Sequence, residues 1–366
     1  MGCPLRVLQV VVNMNRGGAE TLIMNLYRNI NRSKIQFDFL TCKDGVFDSE
    51  IKEMGGKIYR IPYISEVGHF NYIKKLNAFF SSKKEYKIVH SHLDKMSGHV
   101  LKAAKKAGIP FRISHSHNTQ SEGGIAARLY KWHAGKLIHS NATNLMACSN
   151  DAARWLFNDK YQSSMILKNG IETEKFQFSS RIRQKVREEL KLDNKFVIGD
   201  VGRFNHQKNH PFLIDLFNQF NKQAEDSILI LVGDGSLRTE MEMKVKKASI
   251  EDKVLFLGIR SDINHLLQAF DSLVFPSLHE GLPVSLIEAQ ASGLPCLISN
   301  HISKEVDLGM DLVNYCSLND KSEWIEKMRQ LKKDKVTRKV SSQALLDHGY
   351  DIKISANYLE DFYQTI

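Results

Sequence analysis

The sequence is short of the residues that build disulfide-bonded or zinc-bound scaffolds. Its 366 residues include five cysteines, Cys3, Cys42, Cys148, Cys296 and Cys316. Their number is odd and no two form a Cys-x-x-Cys pair, so neither a disulfide framework nor a zinc site is indicated, and a reducing compartment is expected. A 42% share of hydrophobic residues with 25% charged residues argues against a disordered, collagen-like or coiled-coil chain.

Long apolar segments are missing as well. No stretch approaches the run of about 18 apolar residues that a membrane-spanning helix needs. The apolar run from Val7 to Val12 is interrupted by Gln9 and is too short for the core of a signal peptide. These features predict a cytoplasmic protein of enzyme size, with no segment crossing a membrane.

Two common nucleotide-binding signatures are also incomplete. Gly233-Asp234-Gly235 is half of a dinucleotide fingerprint, but Arg238 stands where the third glycine should fall. No Gly-Lys-Ser or Gly-Lys-Thr follows, which excludes a P-loop. A Rossmann oxidoreductase is therefore disfavoured.

Basic charge is present in excess and is concentrated in the first half of the chain. The net charge is +10, of which residues 1–170 carry +13 and residues 171–366 carry −3. A basic half implies an acidic partner. Segments 74–87 and 127–137 mix lysine and arginine with aromatic residues on predicted helices. They are either solvated helix faces with buried aromatics or a surface for an anionic membrane. No nucleic-acid-binding signature occurs, so nucleic acid is not an expected partner.

Short apolar runs alternate with longer amphipathic ones along the whole chain. This alternation predicts parallel sheets that are covered on both faces by helices. The predicted strands are 6–12, 37–42, 57–61, 87–92, 111–117, 144–149, 164–169, 196–202, 228–233, 254–258, 272–277 and 295–299.

The runs fall into two series separated by a turn-forming Asn169-Gly170 pair and a stretch without periodicity. The expected fold class is therefore α/β, with two doubly wound, Rossmann-like domains. We expect a first domain over 1–172 and a second over 173–350. Residues 351–366 read as an amphipathic helix that is expected to pack back on the first domain.

Residues suited to phosphate binding follow several predicted strands, where open parallel sheets place their ligands. Gly17 and Gly18 precede a predicted helix, whose N-terminus offers free N–H groups and a positive dipole end. Arg203 and Lys208 lie five residues apart after another strand and could clamp a diphosphate. Taken singly, these features also fit a plain strand-to-helix turn and ordinary surface charge.

Segment 273–299 is the most informative part of the chain. A buried strand is followed by Glu280-Gly281 and by Pro283, which suits the first turn of a helix. Glu288 falls in the second turn of that helix, and its carboxylate could accept both hydroxyls of a ribose. The N–H groups from Leu282 to Ser285 could receive a phosphate. Ordinary helix capping would explain one acidic residue here but not the whole arrangement.

These residues resemble a known family. The run Glu-Gly-Leu-Pro-Val-Ser-Leu-Ile-Glu at 280–288 closely matches the E-x7-E signature of the family-4 retaining glycosyltransferases of the GT-B type. Further motifs of that family occur in the same order over nearly the whole chain: Gly17 to Glu20, Asn169-Gly170, Gly202-Arg203 with Lys208, Gly233 to Gly235, Leu257-Gly258 and Glu280 to Glu288. The resemblance implies two domains facing across a cleft, the first for the acceptor and the second for a nucleotide sugar.

The resemblance also assigns roles to single residues. Arg203 and Lys208 would hold the donor diphosphate, Glu288 the ribose, and Glu280 the donor sugar. His117 would be the active-site histidine that contacts this sugar, with His115 as the alternative. Gly17 and Gly18 would lie against the diphosphate and the acceptor, and the main chain near Ile259 and Arg260 would meet the base. The main chain of Gly281 and Leu282 would touch the donor sugar. The other positions expected to bind the donor are Gly233, Val284 and Ser285.

The implied reaction is transfer of a hexose or N-acetylhexosamine with retention, from a nucleotide sugar that is expected to be a UDP-sugar. No prosthetic group or metal is expected, since the two cations would neutralise the leaving diphosphate and no Asp-x-Asp pair occurs. The acceptor would be a saccharide or a polyprenyl-diphosphate-linked saccharide in capsule, exopolysaccharide or lipopolysaccharide synthesis, reached at the inner face of the membrane. The alternative is a non-catalytic nucleotide-sugar-binding or partner subunit with the same fold.

Overall fold

The computed structural model describes residues 3–121, 123–334, 338 and 342–366. The chain forms two compact units. The first comprises Met1–Gly170 together with Asp351–Ile366, and the second comprises Ile171–Tyr350.

The first unit is built on a seven-stranded parallel sheet within the described residues, in the order β3-β2-β1-β4-β5-β6-β7. Its strands are β1 Leu5–Val10, β2 Ile35–Thr41, β3 Ile58–Arg60, β4 Ile88–Ser91, β5 Phe111–Ser116, β6 Asn144–Ala147 and β7 Met165–Ile166. β2 is buried along its whole length. Burial on both faces is typical of parallel sheets covered by helices, and in β2 it includes the polar side chains of Gln36 and Asp38.

Helices join these strands. They are α1 Gly18–Asn29, α2 Asp48–Glu53, α3 Ile64–Ser82, α4 Ser97–Lys106, α5 Ile125–Lys136, α6 Ile138–Asn141 and α7 Asn150–Phe157. α3 is broken at Gly68, whose φ of 74° lies outside the helical region. α3 also ends at Ser82, so the predicted basic helix over 74–87 is too long at its C-terminal end.

The second unit is built on a six-stranded parallel sheet, again within the described residues, in the order β10-β9-β8-β11-β12-β13. Its strands are β8 Phe196–Val201, β9 Ser227–Val232, β10 Val254–Gly258, β11 Ser272–Phe275, β12 Cys296–Ser299 and β13 Val313–Cys316. Its helices are α8 Thr173–Phe176, α9 Ser180–Glu189, α10 His210–Asn221, α11 Arg238–Lys247, α12 Ile263–Ala269, α13 Val284–Ala291, α14 Lys321–Asp334 and α15 Ser342–Asp347.

The last helix, α16 Ile352–Thr365, lies in the first unit and contacts α1. Asp351 caps its N-terminus, since the carboxylate accepts hydrogen bonds from the backbone N–H groups of Lys353 (2.8 Å) and Ile354 (3.2 Å). Four residues at helical spacing are buried in the core shared with the first sheet: Ile352, Ala356, Leu359 and Tyr363.

The predicted fold class is confirmed, since both sheets are parallel and doubly wound. β13 was not predicted, because Val313–Cys316 is short and only partly buried and so carries no apolar run. Among the described residues, no helix is long and apolar enough to cross a membrane.

Replacing Leu359 with alanine tests how much α16 stabilises the first unit. We expect Leu359→Ala to lower the free energy of unfolding by about 2–5 kcal/mol, because a buried leucine is removed from a packed core. Ile354→Ala is the matched control on the exposed side of the same helix and should change stability by less than about 0.5 kcal/mol. Urea denaturation checks this, and equal losses for both variants would contradict the packing of α16.

Candidate functional site

The predicted donor residues gather at the carboxyl edge of the second sheet. Its strand order reverses between β8 and β11, and ligands of open α/β sheets bind at this kind of switch point. Arg203 and Lys208 follow β8, Gly233 follows β9, and Ile259 with Arg260 follows β10. Residues 280–285 follow β11.

Backbone hydrogen bonds join these four loops into one connected surface. The N–H of Gly233 donates to the carbonyl of Gly258 (2.8 Å), which links the loops after β9 and β10. The N–H of Phe204 donates to the carbonyl of Asp234 (3.0 Å), and that of Leu278 to the carbonyl of Gln207 (2.8 Å). The loop after β8 is thereby held from both sides.

Gly233 is required for this close approach. Its φ of +140° is a conformation that side chains rarely adopt, and a Cβ at this position would lie 2.0 Å from the carbonyl oxygen of Gly202. The backbone therefore requires a glycine at this position, although the dinucleotide fingerprint around it is incomplete.

Two of the predicted residues form an ion pair. The Nζ of Lys208 lies 2.7 Å from Oε1 of Glu280, and the two side chains are only 14% and 9% exposed. The same ammonium lies 4.4 Å from the centre of the Phe275 ring. Arg203, in contrast, is exposed, and its guanidinium makes no ion pair or hydrogen bond with the described residues, although its backbone carbonyl accepts from the N–H of Asn205 (2.7 Å). The site thus holds one fixed cation and one that is available to a ligand.

Helix α13 brings its N-terminus and Glu288 to the same region. The sequence places Pro283 in the first turn of the helix. In the structure Pro283 is the N-cap residue with extended backbone, and the helix begins one residue later, at Val284. The first turn of an α-helix leaves N–H groups without helical partners. Glu288 is half-buried, and burial raises the pKa of its carboxyl group to about 7. Its carboxylate makes no hydrogen bond with the described residues.

The loop after β10 is the outermost of the four. Ile259 is exposed, and the guanidinium of Arg260 makes a two-pronged contact with the Asp262 carboxylate at 2.6 and 2.8 Å. The Arg260 side chain is therefore engaged locally, and its backbone remains the part suited to contact a flat base.

In the first unit, a cavity of about 220 Å³ opens at the carboxyl edge of the sheet. Gly17 and Gly18 lead into α1, and a Cβ on Gly18 would meet nothing within 4 Å. The cavity is smaller than the roughly 300–1,000 Å³ of most ligand pockets, so it has room for part of a ligand. Its lining residues are Val11, Val12, Ala19, Glu20, Cys42, Tyr63, Ile64, Tyr72, His92 to Met96, Asn118, Gln120, Ser121, Lys131 and Trp155.

His115 and His117 occupy different environments. His115 lies inside β5 and is fully buried, whereas His117 is the first residue after the strand and is only partly buried. The backbone N–H of His117 donates to Oδ1 of Asp94 (3.0 Å), which fixes the strand end. Of the two histidines, His117 has the position at the strand edge that a ligand contact requires.

The sequence reasoning missed a larger cluster behind His117. His90 and His92 project from the neighbouring strand β4, and Gln9 and Tyr363 come from β1 and α16. Histidines at alternate positions of two predicted strands, 87–92 and 111–117, were a visible signal, because alternate residues share one face of a strand.

This cluster could at first be taken for a metal site. The ring nitrogens of His90, His92 and His115 lie within 4.8 Å of one another. However, both ring nitrogens of His90 and of His92 already contact protein partners. The rings of His90 and His115 are also stacked at 13°, so their lone pairs do not converge on one point. The geometry favours a hydrogen-bonded cluster.

Comparison with known proteins places both units in one group. Residues 17–163 match the family described as "Glycosyl transferase 4-like domain", and residues 182–344 match "Glycosyl transferases group 1". EpsF of Bacillus subtilis (strain 168), a protein named as a glycosyltransferase, is 38% identical over 98% of this chain and 96% of its own length.

Two further proteins extend the comparison. The UDP-Gal:alpha-D-GlcNAc-diphosphoundecaprenol alpha-1,3-galactosyltransferase of Escherichia coli is 27% identical over 90% of this chain and 89% of its own length. The crystal structure of Anabaena HepE in complex with UDP and glucose superposes with a TM-score of 0.82, covering 99% of this chain and 100% of that one. At 19% identity, this likeness shows the fold alone.

The raised pKa of Glu288 leads to a pH-dependent prediction. The pKa of this carboxyl group is about 7 in the folded state and about 4.5 in the unfolded state. Because the folded state binds the proton more tightly, the free energy of unfolding falls as pH rises from 4.5 to 7. Glu288→Gln cannot ionise, so we expect it to raise the free energy of unfolding at pH 8 by roughly 1–3 kcal/mol and to change it little at pH 4.

Thermal unfolding at the two pH values measures this difference. Glu225→Gln, at an exposed position of the same unit, is the control, and its effect on the free energy of unfolding should be the same at both pH values. A Glu288→Gln effect that does not depend on pH would show that the carboxyl group titrates normally.

Proposed function

This chain belongs to the family-4 glycosyltransferases with the GT-B fold, and we propose that it is a retaining enzyme that transfers a hexose or N-acetylhexosamine from a UDP-sugar. Membership in the family shows a glycosyltransferase, and the name of a capsular polysaccharide relative from Staphylococcus aureus supports a role in polysaccharide biosynthesis. The donor, the stereochemistry, independence from metal ions and the acceptor are our proposal. The alternative is a non-catalytic subunit that binds nucleotide sugars.

The observation that carries the proposal is the arrangement of Arg203, Lys208 and α13 at the switch point of the second sheet. In the reaction, the bond between the anomeric carbon and the diphosphate oxygen breaks, and the diphosphate leaves with both electrons. The anomeric carbon bonds to the oxygen of an acceptor hydroxyl, whose proton passes to the departing diphosphate. The developing negative charge is stabilised by positive groups that are already in place. The unpaired guanidinium of Arg203, the ammonium of Lys208 and the N–H groups at the start of α13 are such groups.

The carboxylates of Glu288 and Glu280 bind the uncharged parts of the donor, its ribose and its sugar. Glu288 accepts hydrogen bonds from the ribose hydroxyls, and Glu280, while holding Lys208, accepts one from a sugar hydroxyl. The main chain near Ile259, Gly281 and Leu282 contacts the base and the sugar. HepE has been crystallised with UDP-glucose and the Escherichia coli relative is named for UDP-Gal, which supports uridine as the base.

The acceptor site is assigned to the first unit. The cavity beside Ala19 and Asp94 takes part of a saccharide. Diphospho-undecaprenol occurs in the name of the Escherichia coli relative and in that of a Campylobacter jejuni transferase, which is 31% identical over 38% of this chain. We therefore propose a lipid-linked saccharide as the acceptor, with His117 as the histidine that contacts the transferred sugar.

Substitutions at the donor site should separate catalysis from binding. We expect Arg203→Ala to lower kcat about 10²- to 10³-fold, because it removes a group that stabilises the leaving diphosphate. Glu288→Ala should chiefly raise the Kd for UDP, because the ribose contact is the same before and during the reaction. UDP release from UDP-glucose, UDP-galactose and UDP-N-acetylglucosamine, together with the thermal shift caused by UDP, measures both effects.

Lys222→Ala, an exposed residue at the end of α10, is the control and should keep normal kinetics. Unchanged turnover in Arg203→Ala would refute the role of the guanidinium, and loss of turnover in EDTA would refute independence from metal ions. Binding of UDP without release of nucleotide from any donor would favour the non-catalytic alternative.

The first unit also carries a surface suited to an anionic membrane. Four large apolar side chains of α3 and α5 are exposed: Phe70 (87%), Ile125 (89%), Leu129 (63%) and Trp132 (50%). Nδ1 of His69 and the Tyr130 hydroxyl, 2.6 Å apart, hold the two helices together. Exposed basic residues, among them Lys74, Arg128 and Lys136, accompany them. We call these seven residues the apolar–basic patch and propose that it binds anionic lipid, where a lipid-linked acceptor would be found.

Vesicle binding tests the apolar–basic patch. We expect the triple variant Phe70→Ser, Ile125→Ser and Leu129→Ser to bind vesicles of phosphatidylglycerol and phosphatidylcholine at least about tenfold more weakly. Transfer of each apolar side chain from water into the lipid lowers the free energy, and the serine variants lose this contribution. Met243→Ser, at an exposed apolar position of the second unit, should bind normally. Cosedimentation measures the binding, and equal binding by the two variants would remove the patch from the proposal.

A further inference from the structure

Six buried or partly buried side chains of the first unit form one continuous hydrogen-bonded chain. His117 Nε2 lies 2.8 Å from His92 Nδ1, and His92 Nε2 lies 2.8 Å from Gln9 Oε1. Gln9 Nε2 lies 3.3 Å from the Tyr363 hydroxyl, which lies 2.6 Å from His90 Nδ1. His90 Nε2 lies 3.1 Å from His115 Nδ1, where the chain ends.

The four imidazoles of this hydrogen-bonded chain, those of His90, His92, His115 and His117, are neutral. Burial, with a smaller effect of the neighbouring imidazoles, lowers the pKa of His90, His92 and His115 well below its usual value. Burial alone lowers the pKa of His117 to about 3. A neutral imidazole carries one N–H and one lone pair, so each ring must donate at one nitrogen and accept at the other.

The amide of Gln9 gives the chain a direction. Its Oε1 only accepts, so His92 carries its proton on Nε2 and accepts at Nδ1. His117 must therefore donate from Nε2, which leaves Nδ1 as a bare lone pair. On the other side, the Gln9 Nε2 donates to Tyr363, whose hydroxyl donates to His90, and His90 donates to His115.

The two ends of the chain agree with this direction. Each of the six side chains donates one hydrogen bond and accepts one. The member at one end therefore keeps an unused acceptor, and the member at the other end keeps an unused donor. Nδ1 of His117 and Nε2 of His115 are both buried and without a hydrogen-bonding partner among the described residues. The nearby carboxylate of Asp94 is taken by the backbone N–H of His117 and the amide of Asn118.

We propose that His92 and Gln9 are positioning residues that hold His117 as its Nε2–H tautomer, so that Nδ1 accepts a hydrogen bond from a hydroxyl of the bound sugar. This inference rests on the proposed function, which supplies the sugar. A buried acceptor without a partner is unfavourable, so a hydroxyl that reaches Nδ1 gains a hydrogen bond that no described residue provides.

Two substitutions of His92 test the inference, because they differ in what they offer to His117. His92→Leu fills the buried space but offers no acceptor, whereas His92→Asn keeps an oxygen that can accept from His117 Nε2–H. We expect His92→Leu to lower kcat about tenfold or more with little change in KM for the donor, and His92→Asn to recover most of the loss. If His92 served only core packing, the apolar variant would be the better tolerated of the two, and that result would overturn the proposal.

The tautomer itself can be read without any substrate. In the full chain with ¹⁵N-labelled histidine, nuclear magnetic resonance distinguishes a protonated from a bare ring nitrogen, and His117→Gln identifies the signals of His117. We expect a bare Nδ1 in the wild type and in His92→Asn, and a mixture of tautomers in His92→Leu. Protonated Nδ1 in the wild type, or a stoichiometric metal ion in the purified protein, would overturn the proposal.

His115→Leu is the matched control, since His115 stacks on His117 at 4.1 Å between ring centres but lies at the far end of the hydrogen-bonded chain. It should leave Nδ1 of His117 bare, and a mixture of His117 tautomers like that of His92→Leu would refute the order of the hydrogen-bonded chain. The signals also separate this inference from the proposed function: the expected tautomer in a protein that transfers no sugar would refute the function alone, whereas sugar transfer with unaltered signals in His92→Leu would refute the inference alone.

Discussion

The ion pair between Lys208 and Glu280 is the contact on which the candidate donor site depends. It joins the loop after β8 to the loop after β11, on the two sides of the switch point of the second sheet. Both side chains are largely buried, so the loss of either partner would leave an uncompensated charge, which costs about 3–5 kcal/mol in comparable pairs. The pair also fixes where positive charge is available. Lys208 still has N–H groups to offer, and Arg203 adds a guanidinium that no described residue neutralises.

The two units place polar residues at the same edge of similar sheets but give them opposite electrostatic character. In the second unit, cations and the start of α13 make the edge positive, which suits an anion. In the first unit, the histidines behind the edge are kept neutral by burial. Neutral imidazoles would bind a diphosphate poorly, but they can orient a hydroxyl, because each has one donor and one acceptor. The chemistry that each unit can perform follows from this difference in charge more than from the fold they share.

Much of this arrangement could be predicted from the sequence, because it depends on local patterns. Most strands of the second sheet are short apolar runs, and Glu280, Pro283 and Glu288 lie close enough along the sequence for their spacing to be recognised. The histidine chain could not be derived in this way. Gln9 and Tyr363 are 354 residues apart and meet only because α16 returns to the first sheet. β13 was missed for a different reason, since a four-residue, partly buried edge strand carries too little apolar pattern to be recognised.

The chain of six side chains is also expected to behave as a unit. Reversing one member alone would place two donors or two acceptors against each other inside the protein, and each such clash costs about as much as an unsatisfied buried group, 1–3 kcal/mol. Reversal of the whole chain avoids these clashes but requires the Gln9 amide to turn over, the Tyr363 hydroxyl to rotate and four imidazoles to change tautomer together. The state of His117 at the sheet edge is therefore tied to Tyr363 on the last helix through His92 and Gln9. The packing of α16 against the core thereby helps to set the chemistry of a histidine that is distant in the sequence.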